Sequence, residues 1–359
     1  MEQIIQSPSK YIQGAGAIKN IAKYASVKSF VIADSFVMGL TKESIEHSFK
    51  NENIDVAFEI FKGECSRNEV EKLKKHAEKE QCKMVIGVGG GKTLDTAKAV
   101  AYFLNLPVMI VPTIASTDSP CTALTVLYHD NGEFDEYLFL PHNPDVILMD
   151  TDIIAKAPSR LLVAGMGDAL ATYFEVKSCI KSNSLNLVGG YSTKGGEALA
   201  KLCFETLMED GEKALMAAEK KVATKALNNI IEANTYLSGV GAESGGLAAA
   251  HAIHNGFTAI KECHHLYHGE KVAFGTLAQM FLENYSMEEI EEVAHFCKRV
   301  GLPVSLEEMG IKEINEEDIM KVAELSCAPG ETMHNTPFKV TPEDVYAAIL
   351  TADNYGSSL

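Results

Sequence analysis

Lys83 to Lys98 reads KMVIGVGGGKTLDTAK. A short run rich in Val and Ile ends in three glycines, Gly89, Gly90 and Gly91. Lys92-Thr93-Leu94-Asp95 then opens a helical pattern. A buried strand that turns at once into a helix is the repeating unit of an open parallel sheet. Three adjacent glycines are costly in backbone entropy. Their use is to let the main chain come close to a ligand at a helix N-terminus, where unpaired N–H groups and the positive dipole end favour phosphate. The stretch is not a Walker A sequence, because Ile86 stands where its first glycine belongs, and it is not GxGxxG. A nucleotide site is indicated without either standard fingerprint.

Outward from this stretch the pattern repeats. Ser29–Asp34, Ile54–Phe61, Pro107–Pro112 and Asp145–Asp150 read as strands, and Ser66–Lys79 as a charge-rich amphipathic helix. After Pro158 isolated strand runs give way to helical spacing over 159–178, 189–208, 212–224, 226–240, 271–285, 287–300 and 315–326. The expected architecture is an α/β N-terminal dinucleotide-binding domain with a parallel sheet over 1–157. An all-α domain over 158–359 follows, with the active site in the interdomain cleft.

Composition narrows the function. The chain has 359 residues, enough for about two domains, with 46% hydrophobic and 23% charged residues, the balance of an ordinary globular protein. Its net charge of −17 gives no general footprint for nucleic acid or an anionic membrane. Arg67, Arg160 and Arg299 are the only arginines, which argues against a highly anionic substrate. No apolar run is long enough for a membrane span, and Met1–Lys10 lacks the core of a signal peptide. The eight cysteines form no CxxC pair, so reduced thiols in a cytoplasmic protein are expected.

Several residues could carry chemistry. Asp34 closes the strand Ser29–Asp34, where a carboxylate accepts hydrogen bonds from an adenosine ribose and repels a 2′-phosphate. It precedes the glycine loop instead of following it, so either it is a solvated loop residue or the strand order is unusual. Pro112–Ser119 (PTIASTDS) sets small hydroxyl residues and Asp118 beyond a strand end. Gly165–Leu170 (GMGDAL) places Asp168 at a glycine-flanked helix start, where it could serve as an N-cap. A small-residue helix, Gly245–Phe257, carries His251 and His254 on one face. With His264, His265 and His268, five of the eleven histidines fall within 251–268. Two histidines, a carboxylate and an open position are a common catalytic zinc composition. Spacing alone does not choose two among these five: His251 and His254 could both bind, or one of them together with His268.

Taken together, GGGKTLDTAK (Gly89–Lys98), VPTIASTDSP (Val111–Pro120), GMGDAL, GGLAAAHAIHNGF and YHGEKVAFG (Tyr267–Gly275) resemble the metal-dependent polyol dehydrogenases of the iron-containing alcohol dehydrogenase superfamily, over essentially the whole chain. The resemblance implies reversible NAD-dependent oxidation of a small uncharged vicinal diol, glycerol to dihydroxyacetone first among them. It puts metal ligands on Asp168, His251 and His268. It puts cofactor contacts on Asp34, Gly89, Gly90, Gly91, Lys92, Thr93, Thr113, Ser116, Thr122, Leu124 and Tyr128. Asp118 becomes the substrate-contacting acid, and His254 falls near the substrate. Iron-dependent relatives carry a further histidine four residues after the aspartate; Thr172 stands there, so one zinc ion per subunit is expected rather than iron. A homo-oligomer is implied as well. Two rival readings are a superfamily member acting on a phosphorylated substrate such as glycerol-1-phosphate, which needs a cationic cradle, and a catalytically silent NAD-binding module.

Overall fold

A computed structural model describes residues 2–359. The first half runs β1 (Lys10–Gly14), α1 (Ile21–Ala25), β2 (Ser29–Ala33), α2 (Ser35–Asn51), β3 (Val56–Ile60), α3 (Arg67–Lys79), β4 (Met84–Gly89), α4 (Gly91–Leu104), β5 (Val108–Pro112), β6 (Leu124–Tyr128), β7 (Phe134–Phe139) and β8 (Val146–Asp150). Six strands form one parallel sheet in the order β1-β8-β5-β4-β2-β3, and β6 and β7 form a separate antiparallel hairpin. Both faces of the sheet are buried. Phe30, Ile32, Val85, Ile110 and Ile147 face one side with Leu73 and Leu94. Val31, Ala33, Ile86, Met109 and Leu148 face the other with Ile45 and Phe49. That two-sided burial is why the strands read as unbroken apolar runs.

The second half is helical: α5 (Thr151–Lys156), α6 (Ser159–Ser182), α7 (Lys194–Glu219), α8 (Lys225–Glu232), α9 (Ser238–Gly245), α10 (Ala249–Phe257), α11 (His268–Leu282), α12 (Met287–Val300), α13 (Glu316–Ser326) and α14 (Pro342–Gly356). Its core is continuous with one face of the sheet, through Leu162, Met166, Leu170 and Phe274. No helix among the described residues is long and apolar enough to cross a membrane.

Four expectations need correction. The segments 189–208 and 212–224 fall in one helix, α7, which runs through Gly211; a glycine stands there because a Cβ would meet the Phe296 ring at 2.6 Å. The pattern over 226–240 extends to Gly245, with a π-helical turn over Ala233–Leu237 between α8 and α9. Gly245–Phe257 is not one helix: Gly246 has φ +107° and breaks it before α10. Asp168 is not at a helix start but inside the 24-residue α6. The glycines around it are there for clearance. A Cβ on Gly165 would lie 2.1 Å from the Ala115 carbonyl oxygen, and one on Gly167 would lie 2.3 Å from the Gly269 carbonyl oxygen. Strands β1, β6 and β7 and helix α14 are additions to the elements expected from sequence.

The α6–α11 crossing yields a test. A Cβ on Gly269 would stand 1.8 Å from the Ala164 carbonyl oxygen and 2.7 Å from the Asp168 nitrogen, both backbone atoms that cannot swing away. Gly269→Ala is expected to lower stability by at least ~2 kcal/mol, at the upper part of overpacking costs. Gly39→Ala on α2, where a Cβ meets nothing within 4 Å, is expected to raise it by ~0.5–1 kcal/mol. Chemical unfolding of both variants with metal chelated reads the two signs.

Candidate active site

The connection out of β2 leads to β3 on one side, and that out of β4 leads to β5 on the other. A crevice therefore opens beyond the ends of β2 and β4, the usual ligand position in such sheets. Ile32 pairs with Gly87, so Asp34 and Gly89, each two residues further on, end neighbouring strands side by side. The strand order thus resolves why Asp34 precedes the glycine loop in sequence. Asp34 Oδ1 accepts hydrogen bonds from the N–H groups of Phe36 (2.8 Å) and Val37 (2.9 Å) and caps α2. Gly90 is the N-cap of α4, which has no side-chain cap, and a Cβ on Gly91 would meet open space. Lys92 reaches Glu64 (2.6 Å) and lies over the Tyr128 ring. Thr93 is buried in the first turn of α4.

From β5 the chain enters the loop that carries the next expected residues. Thr113 donates its N–H to the Gly89 carbonyl (3.0 Å), and Ser116 follows in the same loop. Thr122 Oγ1 donates to the Ser119 carbonyl (3.0 Å), and Leu124 begins β6. Sequence reasoning missed what holds this loop. Lys98 is fully buried, and its ammonium donates to the carbonyls of Ser119 (2.6 Å) and Leu124 (2.9 Å), with Asp95 at 3.8 Å. Burial pushes the Lys98 amine down and the Asp95 carboxyl up. From the helical half, Glu243 accepts the Ala123 N–H (2.6 Å) and pairs with Asn143, while Asn234 donates to the carbonyls of Ala115 (3.0 Å) and Leu162 (2.9 Å). Lys98 ends the GGGKTLDTAK stretch, where a lysine on the apolar side of α4 is its signal; Glu243, Asn143 and Asn234 carry no local signal.

The loop brings Asp118 against α6. Its N–H donates to Asp168 Oδ2 (3.1 Å), and its Oδ2 accepts from the Ser238 hydroxyl (2.9 Å). Thr172 Oγ1 lies 2.8 Å from Ser238 Oγ and is buried. Because Ser238 donates to Asp118, Thr172 donates to Ser238. Burial and the Asp168 charge push the Asp118 carboxyl up to about 7.

Asp168, His251 and His268 converge. Asp168 Oδ1 stands 3.1 Å from His268 Nε2 and 3.4 Å from His251 Nε2, and one ligand atom from each residue lies within 4.8 Å of the others. Ligand atoms held at ~2.1 Å around a tetrahedral ion stand roughly 3.4 Å apart, so the residues fit a metal ion. Burial opposes the Asp168 charge, but His268 and His251 more than offset it, and its carboxyl is held well below the usual range. Burial likewise opposes charge on His251, yet Glu175 and Asp168 draw it well above the ordinary imidazole value. Protons shared in this way are the ones a bound cation replaces.

The remaining histidines separate clearly. His254 is buried, its ring 4.1 Å from that of His268, and burial followed by the charges of His268 and His251 pushes it well down. His264 and His265 are exposed and bond the carbonyls of Thr258 (3.0 Å) and Glu262 (2.7 Å). Glu175, two turns along α6 from Asp168, touches His251 and was missed. A glutamate inside the apolar run Ala171–Val176 was its available signal.

Residues 8–151 match the iron-containing alcohol dehydrogenase family. The chain belongs to that family. It is 57% identical to the glycerol dehydrogenase of Citrobacter freundii and 56% identical to that of Escherichia coli O6:H1, in each case over 99% of this chain and 98% of the relative. It also resembles the crystal structure of glycerol dehydrogenase from Schizosaccharomyces pombe, with a TM-score of 0.96 at 41% identity, over 99% of this chain and 92% of that one.

Lys98→Met tests the support of the loop. It leaves two carbonyls without a donor and Asp95 without a counter-charge, and is expected to cost ~3 kcal/mol in urea unfolding. A loss under ~1 kcal/mol, with residues 119–124 no more open to limited proteolysis, would show that the amine does not hold this segment.

Proposed function

We propose that the protein reversibly oxidises glycerol to dihydroxyacetone with NAD at a single zinc site, and accepts other small vicinal diols. The observation that carries this reading is the convergence of Asp168 Oδ1, His251 Nε2 and His268 Nε2. Full-length similarity to glycerol dehydrogenases supports it. Asp168, His251 and His268 hold the metal and leave a position for substrate oxygen. Zinc is preferred over iron because Thr172, bonded to Ser238, stands where iron-dependent relatives carry a histidine. Bound zinc supplies a Lewis acid to the reacting oxygen, and NAD supplies the hydride acceptor.

The rest is the work of this chain. Asp34 accepts the hydroxyls of an adenosine ribose. Gly89, Gly90 and Gly91, with Lys92 and Thr93, cradle the pyrophosphate at the uncapped start of α4. Thr113, Ser116, Thr122, Leu124 and Tyr128 complete the cofactor groove. Asp118 has one oxygen pinned by Ser238 and receives a substrate hydroxyl on the other. Oxidation of the alcohol releases one proton, and His254, whose ring lies 4.1 Å from that of His268, is the nearby group to relay it. Residues 1–157 serve as the NAD-binding domain and 158–359 as the metal- and substrate-binding domain. A homo-oligomer in the cytoplasm completes the reading; eight free thiols, seven of them buried, suit a reducing compartment.

A phosphorylated substrate finds little support. Lys92 pairs with Glu64, Arg160 with Glu270, and Lys271 is buried with its amine on the Leu266 carbonyl. The metal assignment is tested with His268→Ala, expected to lose most bound zinc and most activity together while His264→Ala retains both, by elemental analysis and steady-state kinetics. Full activity in a zinc-free His268→Ala protein would sink it. The substrate assignment is tested with Asp118→Ala. Losing one charge-assisted hydrogen bond costs about 1.5–3 kcal/mol, so the kcat/KM advantage of glycerol over ethanol is expected to shrink about ten- to a hundredfold. Glycerol phosphate outperforming glycerol on the wild type would favour the phosphorylated-substrate reading.

A further inference from the structure

Two carboxylates touch His251, and the proposed function uses only Asp168. The second is Glu175, whose residue has no exposed surface and which faces no lysine or arginine. Its Oε2 lies 2.6 Å from His251 Nδ1. Its Oε1 accepts two backbone N–H groups at the start of α10, from Ala248 (2.9 Å) and His251 itself (3.0 Å). No side chain of the N-cap residue caps α10, so Glu175, from another helix, takes that part.

We propose that Glu175 is a positioning residue that fixes the metal-binding tautomer of His251. An ionised carboxylate only accepts hydrogen bonds, so the proton of the neutral ring must sit on Nδ1. Nε2, the atom facing Asp168 Oδ1 at 3.4 Å, is left with its lone pair for the metal. The same carboxylate anchors the backbone N–H of His251, so ring and main chain are held by one group. His268 lacks such a hold: its Nδ1 makes no hydrogen bond among the described residues, and its side chain is 37% exposed. The site therefore has one imidazole oriented in advance and one that adjusts. Carboxylates behind ligand histidines act in this way at zinc centres generally. The inference rests on the reading that Asp168, His251 and His268 hold zinc.

Glu175→Gln is the discriminating variant, because it keeps shape and volume. Its amide oxygen is claimed by the two backbone N–H groups, so its NH2 faces Nδ1. That requires the His251 proton to move to Nε2, the ligand atom. Zinc affinity, measured by chelator competition at fixed pH, is expected to fall 10–100-fold. The metal-free variant is expected to unfold at a lower temperature than the wild type, because His251 loses its counter-charge; affinity is therefore measured well below that transition, where a merely structural role would leave the zinc affinity of the folded protein unchanged. Affinity within about twofold of a tightly binding wild type overturns this inference alone. A wild type that binds no zinc overturns the metal reading and this inference with it. Should the variant not fold, 15N-histidine NMR of the wild type loaded with cadmium-113 decides. Coupling of the metal to His251 Nε2 with the proton on Nδ1 supports the assignment, and metal on Nδ1 overturns it.

Discussion

α6 and α11 cross so closely that neither tolerates a side chain at the point of contact. Gly167 lies against the Gly269 carbonyl, and Gly269 lies against the Ala164 carbonyl and the Asp168 nitrogen. Asp168 follows the first of these glycines and His268 precedes the second, so the closest approach of the two helices also brings a carboxylate to an imidazole. A bidentate ion pair secures the outer end of the crossing. Arg160, on the first turn of α6, meets Glu270 at 2.6 and 2.8 Å, and Glu270 also accepts the N–H of Tyr267 (2.7 Å) just before His268. A bidentate arginine contact is directional, so it sets orientation as well as distance.

The other structural joint is the segment 113–124. It leaves the sheet at β5 and is seized from both halves of the molecule. Asn234 and Glu243 hold it from the helical side and Lys98 from the α/β side. Gly165 and Gly239 give it room, because a Cβ on either would press on the carbonyls of Ala115 or Asp118. The π-helical turn that contains Asn234 lets this residue and Ser238 both reach the loop. Such turns often occur where a helix contributes to a functional site. Burying Lys98 and Glu243 is expensive unless each finds partners, and their bonds to this one loop make its conformation specific.

Electrostatics divides the site into two environments. The chain carries a net charge of −17, which repels an anionic ligand at long range. The lysine closest to the glycine loop is occupied by Glu64. In the proposed function, attraction for the pyrophosphate rests first on the uncapped N–H groups and dipole of α4, which act only at short range, and second on Lys92. In the second environment the carboxylates of Asp118, Asp168 and Glu175 favour a cation. Opposite charge preferences are kept apart by placing one at a helix start and the other on the interior of α6 and the loop packed against it.

Much of the fold was legible locally. The strand Lys83–Val88, the glycines and the helix behind them specify their own neighbourhood, because a buried parallel strand is apolar along its length and a glycine run has few other uses. The change from strands to helices, expected near Pro158 from the loss of isolated strand runs, falls after Asp150, where β8 ends and α5 begins. The edge strand β1 and strand β7 of the hairpin were not legible, since their mixed polarity follows a packing environment that only the tertiary structure supplies. At the site, sequence delivered the residue types: Asp168, five clustered histidines, Asp118 and Asp34. Only the tertiary structure set His251 and His268 around Asp168 and sent His264 and His265 to the surface. It also turned Gly165 and Gly167 from the flanks of an expected helix start into contact points inside α6, and it placed Asp34 beside a loop that follows it by more than fifty residues. The physical reason is the same throughout. Chemistry and periodicity belong to a segment, whereas proximity arises from the crossing of α6 with α11 and from the order of strands in the sheet, and neither is a property of any one segment.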